Sequence, residues 1–417
     1  MILVISSPKV AQEMFLRHDL AFSSRAVPHA GAAGNHDKFS MVWLPVSPKW
    51  RDLRKIATIQ LFTTHTLDAS QIIRQKKVNE LIDYARQCGK NGMPIDIGKA
   101  GFTTSLNLLS NTFFSMDLAR HASSYSQEFK ELFESLLEME GKPNLSDFFP
   151  LIKHLDLQGV FRRTTYLVNK MMSIFEEIID GRLKDDNVKD DVLSTLLKNV
   201  ENNELTLDDV KHLLLDLFVA GTDTTSSTLE WAMTELLSHP QAMEKAQLEV
   251  EEVVGKHGYV QESDISKLPY LQAIVKETLR LHPPAPFLIP HKAEKDVQLC
   301  NYFVPKDATI WVNVWAIGRS STVWTDSELF YPERFLENDI DMKGRDFELI
   351  PFGSGRRICP GLPLGYRMIN MMLASLLHSF NWKCVHNGTN LTGLDVEEKF
   401  GLTLQKVEPL QAKPLLK

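Results

Sequence analysis

Residues 352–361 read Phe352-Gly-Ser-Gly-Arg-Arg-Ile-Cys-Pro-Gly361, and they form the most informative segment of the chain. Cys359 follows a glycine-rich turn, and an apolar run with helical spacing begins directly after it, at Leu362. Backbone N–H groups of such a turn, together with the positive end of the following helix, stabilise a thiolate. Haem iron takes an anionic sulfur ligand of this kind. The alternative for Cys359 taken alone is an ordinary buried cysteine that precedes a helix.

The whole pattern Phe-x-x-Gly-x-Arg-x-Cys-x-Gly resembles the cysteine loop of the haem-thiolate monooxygenases, the cytochrome P450 superfamily. The resemblance implies a mainly α fold with a small β-sheet region, the cytochrome P450 fold. It also implies heme b (iron protoporphyrin IX) as cofactor, with Cys359 as the iron ligand and Phe352 against the haem. Because the match runs from residue 1 to about residue 413, we expect residues 1–417 to form a single haem domain.

Composition excludes several other classes of protein. The chain has 417 residues, 43% of them hydrophobic, and a net charge of −7, which argues against a nucleic-acid partner. No C-x-x-C motif occurs, so zinc ribbons, thioredoxin-type redox sites and covalent haem attachment are excluded. No apolar run is long enough to cross a membrane. The cysteines are too widely spaced for a secreted disulfide framework: Cys88, Cys300, Cys359 and Cys384.

Helical periodicity dominates the chain, and strand-like runs are short. Between residues 315 and 350 regular signals are few, and long irregular segments of compact domains are usually functional. Strands are predicted at the start of the chain, around 287–313 and over 400–413. Helices are predicted over 8–18, 48–62, 68–88, 125–139, 162–183, 190–199, 206–238, 240–255, 269–282 and 362–379.

The helix predicted over 206–238 carries a glycine and several hydroxyl side chains on one face in its middle. A glycine there costs about 1 kcal/mol relative to alanine, so the sequence indicates a need for space or for a polar groove. The alternative is a core helix whose threonines bond back to carbonyls one turn earlier. Residues 220–225 resemble the oxygen-activation motif of the superfamily. The resemblance implies that Gly221 lets the helix pass close over the haem, that Thr224 positions water, and that Asp223 relays protons.

Two further motifs resemble family features. Glu277 and Arg280 lie at i, i+3 on a predicted helix, a spacing that by itself indicates only a solvated surface pair. With Arg334 downstream, the resemblance implies a buried network that holds the irregular segment, a structural role. Trp50 and Arg54 lie at i, i+4 and are implied to bind the haem propionates, with Arg357 as a third donor. His291 stands where many relatives have an arginine, and it is expected to be a weaker, pH-sensitive propionate partner.

The closest likeness is to plant microsomal enzymes of the geraniol 8-hydroxylase and terpenoid hydroxylase group. It implies an apolar substrate, NADPH–cytochrome P450 reductase as partner, and the cytosolic face of the endoplasmic reticulum membrane as location. The family's membrane anchor, hinge and first sheet strand have no counterpart here, so we expect an N-terminally truncated chain. The expected pocket residues are Met41–Leu44, Phe218–Ala220, Phe287–Ile289 and Leu402. The expected reductase-docking residues, alternatively plain surface charges, are Arg51, Lys55, Arg356 and Arg367.

Function is therefore expected to be the hydroxylation of an apolar plant metabolite such as geraniol, with Thr224 and Asp223 catalytic. A diterpenoid or a phenylpropanoid is the alternative substrate. A haem-thiolate isomerase or dehydratase is a rival activity that the Asp223–Thr224 pair disfavours. A truncated, non-functional remnant is a further rival.

Overall fold

The computed structural model describes residues 1–121, 124–185, 189–385 and 396–417, and helices form most of it. Prolines at the first or second position begin several of them, as the free N–H groups of a first turn allow. The α-helices are α1 Pro8–Arg17, α2 Pro48–Ala57, α3 Thr64–Ala69, α4 Gln71–Lys90, α5 Ile97–Phe114, α6 Ser124–Gly141, α7 Leu145–Phe148, α8 Val160–Leu183, α9 Val192–Glu201, α10 Leu207–Ser238, α11 Pro240–Val254, α12 Pro269–Leu281, α13 Val314–Gly318 and α14 Leu362–Ser379.

Each predicted helical run has a counterpart among these helices, but helix α5 is absent from the prediction. Nearly every side chain of Ile97–Phe114 is buried, including Thr103, Thr104, Ser105 and Ser110. A helix that is covered on all sides has no polar face, so the periodicity of its apolar residues carries little signal. The run predicted over 68–88 is also divided, since α3 ends at Ala69 and α4 begins at Gln71.

The strands are short and form small sheets. In the four-stranded sheet the order is β1-β7-β4-β2, with β1 parallel to β7 and the other neighbours antiparallel. The antiparallel register places Arg25 of β2 opposite His291 of β4. The strands are β1 Ile2–Ile5, β2 Ser24–Arg25, β3 Ile95–Asp96, β4 His291–Lys292, β5 Val297–Leu299, β6 Tyr302–Val304, β7 Thr309–Val312, β8 Phe380–Cys384, β9 Glu398–Lys399, β10 Gln405–Lys406 and β11 Gln411–Leu416.

Helix α10 runs between two hydrophobic cores. Its first half, Val210 to Phe218, packs with α5, α6, α8 and α9, while Leu229 to Leu236 pack with α4, α11, α12 and α14. A capping box at Thr206 and Asp209 fixes where the helix begins. The polar middle of α10 therefore lies between the cores, where the functional cavity opens. In the part of the chain that the structure describes, no helix combines the length and apolarity needed to cross a membrane.

Candidate functional site

Cys359 lies on the wall of a cavity enclosed by α2, α5, α10 and the start of α14. The turn that precedes it uses Gly353 and Gly355 at φ 72° and 66°, backbone conformations that glycine adopts without strain. The Cys359 N–H donates to the carbonyl of Phe352 at 2.9 Å, which closes the loop. The sulfur is thereby presented to the cavity at the N-terminal end of a helix.

Burial raises the pKa of the Cys359 thiol, while backbone N–H groups of Gly361 and Leu362 and the charge of Arg54 oppose that rise. The three opposing groups stabilise the thiolate, yet burial outweighs them. A metal ion on the sulfur reverses this balance, because a coordinating thiol is deprotonated. The loop thus suits a metal-bound thiolate better than a free one.

The face of α10 that carries Thr224 lines the same cavity, together with Ala220, Gly221 and Thr228. Thr224 Oγ1 donates to the Ala220 carbonyl at 2.6 Å, as the back-bonded alternative describes. The same oxygen remains an acceptor toward the cavity, since a hydroxyl has two lone pairs. The side chain therefore combines a local helix bond with a position on the cavity wall.

Gly221 has a packing role that differs from the expected one. A Cβ atom at Gly221 would lie 2.8 Å from Leu109 Cδ1 of α5, and α10 remains α-helical through this residue. The glycine therefore permits close approach of α5 and α10. Gly221 also lines the cavity, which is consistent with the expectation that α10 passes close over the haem. That expectation stays a prediction.

Asp223 does not lie on the cavity wall with Thr224, since consecutive residues of an α-helix point about 100° apart. Its carboxylate is 2% exposed and accepts a hydrogen bond from Gln405 Nε2 at 3.0 Å. Gln405 belongs to the hairpin formed by β9 and β10, and Ser227 Oγ ties this hairpin to α10 by donating to the Leu404 carbonyl at 2.7 Å. Burial raises the pKa of Asp223 to about 6, against the lowering effect of hydrogen bonds from Thr403 and Gln405. The carboxyl group thus titrates near neutral pH, as a proton relay requires.

Trp50, Arg54 and Arg357 reach the cavity from α2 and from the cysteine loop. Trp50 Nε1 donates to the Met41 carbonyl at 3.0 Å, and Arg54 donates to the carbonyl of Ile358. Arg357 stacks over the Trp50 ring at 4.6 Å. It donates to the carbonyls of Ser23 at 2.9 Å, Met41 at 3.2 Å and Leu44. Trp50 and Arg357 therefore use some of their N–H donors for hydrogen bonds to backbone carbonyls, and Arg357 joins the cysteine loop to residues 23–44.

Arg25 is a cavity residue that the sequence analysis missed. The residue is 9% exposed, and its guanidinium donates to the Ile289 carbonyl at 2.5 Å, but its buried Nε has no partner. Burial and then the charges of Arg357 and Arg54 lower the pKa of Arg25 well below its usual value. Three arginines thus line the same cavity, and one of them has a buried Nε without a partner. An anion in the cavity would offset the charge of these arginines.

His291 faces the same region, but its hydrogen bonding differs from the expectation. Nδ1 lies 2.7 Å from the Phe22 carbonyl, which only accepts, so Nδ1 carries the proton. Burial and the neighbouring Arg25 lower the pKa of His291 well below its usual range. The neutral ring therefore offers Nε2 as an acceptor, and donation to a carboxylate requires protonation. An anion bound beside the ring would favour that protonation.

This set of residues fits a haem. One wall supplies a thiol stabilised for metal binding, and the arginines that face the cavity supply charge for two propionates. The unpartnered Nε of Arg25 gives a donor with no role inside the protein itself. The remaining wall is mainly apolar, as the faces of a porphyrin require, and Phe352 is part of it.

The structure places only part of the expected substrate pocket on the cavity wall. Met41, Val42, Ala220, Leu288 and Ile289 line the cavity. The other expected residues pack elsewhere. On α10, Phe218 stacks within an aromatic cluster with Phe113, Phe114 and Phe175, and Val219 packs against the same core.

The remaining expected pocket residues also have other neighbours. Trp43 packs against Gly31, and Leu44 is buried in the core. Phe287 packs on Trp311, and the Leu402 backbone abuts Gly141.

The predicted structural network is present. Arg280 donates to both carboxylate oxygens of Glu277, at 2.7 and 2.8 Å, and Arg334 Nε donates to the same carboxylate at 3.1 Å. Glu277 and Arg280 are fully buried, so this pairing is what makes their charges tolerable. Arg280 also binds the carbonyls of Ser327 and Leu329, which secures the irregular segment before the cysteine loop.

The four expected docking residues differ in their surroundings. Arg51 and Lys55 are exposed on α2. Arg356 pairs with Asp19 at 2.9 Å, and Arg367 binds Asp68 and Glu262 at 2.8 and 2.6 Å. Arg367 therefore serves an internal ion-pair network, which weakens its case as a docking residue.

Known proteins match this chain along its length. The cytochrome P450 family profile matches residues 1–409. The chain is 56% identical to cytochrome P450 monooxygenase 76AD131 of Lophophora williamsii, over 100% of this chain and 84% of that protein. It is 51% identical to a geraniol 8-hydroxylase of Catharanthus roseus, over 99% of this chain and 84% of the enzyme.

Solved structures agree with the sequence comparison. A zebrafish cytochrome P450 structure with progesterone superimposes with a TM-score of 0.82 at 25% identity, covering 99% of this chain and 93% of that one. The expected P450 fold is confirmed. The cysteine loop, the cavity beneath the polar middle of α10 and these matches agree, and the chain belongs to the cytochrome P450 family.

Proposed function

We propose that this protein hydroxylates a small monoterpenoid alcohol such as geraniol. The observation that carries the proposal is the mainly apolar cavity whose lining includes both Cys359 and Thr224. It is supported by about 50% identity to the geraniol 8-hydroxylases of Catharanthus roseus and Swertia mussotii. As a P450 monooxygenase the protein contains haem b and takes electrons from NADPH through a reductase.

In this proposal the chain's own residues have separate tasks. Cys359 binds the haem iron, and Arg54, Arg357, Trp50, His291 and Phe352 hold the haem, with Arg25 added by the geometry. Bound haem supplies the activation of dioxygen. Thr224 holds water or a proton donor at the cavity wall, and Asp223 supplies protons from the side of the β9–β10 hairpin.

For Asp223 to deliver a proton to the cavity, its carboxyl group must leave Gln405 or pass the proton through water. Both routes require a group whose protonated and ionised forms are both populated near neutral pH. The pKa of about 6 that burial gives Asp223 meets that requirement.

Substrate class is tested by titrating the purified ferric protein with geraniol, nerol, a diterpene alcohol and a phenylpropanoid. Entry of a substrate displaces water from the iron and shifts its spin state, which the absorption spectrum reports. We expect the two monoterpenoids to shift the spectrum and geraniol to give a hydroxylated product with reductase and NADPH. Because one methylene changes binding by only about 1–3 kcal/mol, related terpenoids should bind with graded strength.

Other outcomes of this titration and turnover assay would each favour a different function. A spin shift and product with the phenylpropanoid or the diterpene alcohol alone would contradict the monoterpenoid proposal and leave the monooxygenase intact. Product formation without NADPH would favour an isomerase or dehydratase. A purified chain without a haem spectrum would favour the non-functional remnant.

We also propose that the protein works at the cytosolic face of the endoplasmic reticulum, as plant microsomal relatives do. A fluorescent fusion expressed in leaf cells should coincide with an endoplasmic reticulum marker. A diffuse cytosolic signal would contradict this location.

A further inference from the structure

A buried chain of polar side chains joins α10 to the segment that forms one wall of the cavity. His212 Nδ1 lies 2.8 Å from His36 Nδ1, and His36 Nε2 lies 3.1 Å from Asp216 Oδ1. His36, His212 and Asp216 are each 5% exposed. His212 and Asp216 lie one helical turn apart on α10, and His36 precedes the wall segment Ser40–Val42.

Asp216 fastens the wall segment directly. Its Oδ1 accepts from Ser40 Oγ and its Oδ2 accepts from the Met41 N–H, both at 2.7 Å. Ser40 Oγ in turn accepts the Val42 N–H at 3.0 Å. Met41 and Val42 line the cavity, as Asp216 does. The position of this wall therefore depends on where the Asp216 carboxylate is held.

Met41 also connects the wall to the residues that hold the haem. Its carbonyl accepts from Trp50 Nε1 at 3.0 Å and from Arg357 Nη1 at 3.2 Å. The Met41 N–H is thus bound by Asp216 of α10, and the Met41 carbonyl is bound by Trp50 and Arg357, two of the residues expected to hold the haem. A change at Asp216 would act first on the Met41 N–H, and it would reach Trp50 and Arg357 only through the Met41 carbonyl.

The proton positions along the chain follow from its chemistry. An ionised Asp216 only accepts, so His36 Nε2 carries a proton. The charges of Asp216, of Glu140 on α6 and of Asp37 raise the pKa of His36 against its burial. Burial and the charge of His36 hold the pKa of His212 at about 4, although Asp216 and Asp208 oppose this and Lys211 assists. His36 is therefore the ring of the pair that takes up a second proton first, and in that state it donates from both nitrogens while neutral His212 accepts.

We infer that His212 and His36 are positioning residues that act through Asp216 to fix the Ser40–Val42 wall, and so determine which ligands the cavity admits. The inference rests on the proposed placement of the substrate in this cavity. Phe39 stacks on the His212 ring at 4.9 Å, so the ring has a packing role as well as an acceptor nitrogen. The test has to separate these two roles.

The test compares His212→Phe with His212→Asn. The first keeps the stacked ring and removes the acceptor, while the second loses the ring and keeps an acceptor near the Nδ1 position. His239→Phe, at the other end of α10, is the control. Amide exchange of residues 36–46 is measured by mass spectrometry in each purified protein. Removing one buried acceptor should speed exchange of this segment about tenfold in His212→Phe, with His212→Asn and the control close to the parent.

Ligand binding gives the second readout. 1-Phenylimidazole and imidazole both ligate haem iron, but 1-phenylimidazole needs additional cavity space for its phenyl ring, so the ratio of their dissociation constants reports a change in cavity shape. We expect His212→Phe to weaken 1-phenylimidazole several-fold and to leave imidazole and the carbon monoxide spectrum unchanged. Parent-like exchange in His212→Phe, equal effects of Phe and Asn, or an unchanged ratio would each overturn the inference. Failure of geraniol to bind the parent would count against the proposed substrate alone, since neither readout uses geraniol.

Discussion

Arg25 lies directly opposite His291 in the antiparallel pair of β2 and β4, and both residues line the cavity. The family resemblance leads us to expect an arginine at the position of His291, and the structure sets a guanidinium across the strand from it. The positive charge that the histidine lacks in its neutral form is thus present one strand away.

Arg25→Gln should therefore weaken haem retention. The substitution removes a buried charge and the unpartnered Nε donor, and a hydrogen bond to a charged group contributes about 1.5–3 kcal/mol. We expect haem transfer to excess apomyoglobin to accelerate by about tenfold or more. Arg17→Gln, on the exposed surface of α1, is the matched control. Identical transfer rates in Arg25→Gln and the parent would show that Arg25 does not hold the haem.

Thr224→Val should uncouple electron use from product formation. The variant keeps the shape of the side chain and its place on the cavity wall but removes the hydroxyl. Haem content and substrate binding should stay near those of the parent, while the product formed per NADPH falls severalfold and hydrogen peroxide rises. Thr224→Ser should restore coupling in part.

Thr222→Val supplies the comparison, because Thr222 is buried and donates to the Phe218 carbonyl just as Thr224 donates to Ala220. If both valine variants couple as the parent does, Thr224 has only a packing role. If both lose coupling equally, the back-bond matters and the cavity position does not.

Asp223→Asn should stabilise the protein in a pH-dependent way. Burial raises the pKa of Asp223 from 3.8 to about 6, so between these values the folded state binds a proton that the unfolded state has lost. The Asp223 carboxyl group therefore lowers the free energy of unfolding progressively as the pH rises through that window, and the full loss is reached above about pH 6. A difference of about two pKa units corresponds to ~3 kcal/mol.

Urea unfolding at pH 4 and pH 7.5 checks this. The gain in unfolding free energy from Asp223→Asn should be larger at pH 7.5, by up to ~3 kcal/mol. Asp83→Asn, on the exposed face of α4, should show no such difference. A gain from Asp223→Asn that is equal at both pH values would contradict the raised pKa.

Much of the fold could be predicted because its signals are local. The cysteine loop and the Glu277–Arg280 spacing are contained in a few residues each, and amphipathic helices show their period within one window. Helix α5 was missed because it is buried on all sides. Strand β8 alternates apolar and polar residues, but it is only five residues long and directly follows α14, so its signal merges with that of the helix.

The missed parts of the site are non-local. Arg25 belongs to a two-residue strand, and only the pairing of β2 with β4 brings it to the cavity. The predicted role of Phe218 was wrong for a similar reason, since its aromatic neighbours come from α5 and α8. The partner of Asp223, Gln405, lies 182 residues away along the chain. No window of sequence contains such contacts.

The central claim is that Cys359 binds haem iron as a thiolate, and the carbon monoxide difference spectrum of the reduced protein tests it most directly. We expect the strongly red-shifted Soret band of thiolate-ligated haem in the parent and in Cys384→Ala, and its loss in Cys359→Ala. Persistence of that band in Cys359→Ala, or its absence from the haem-loaded parent, would contradict the account.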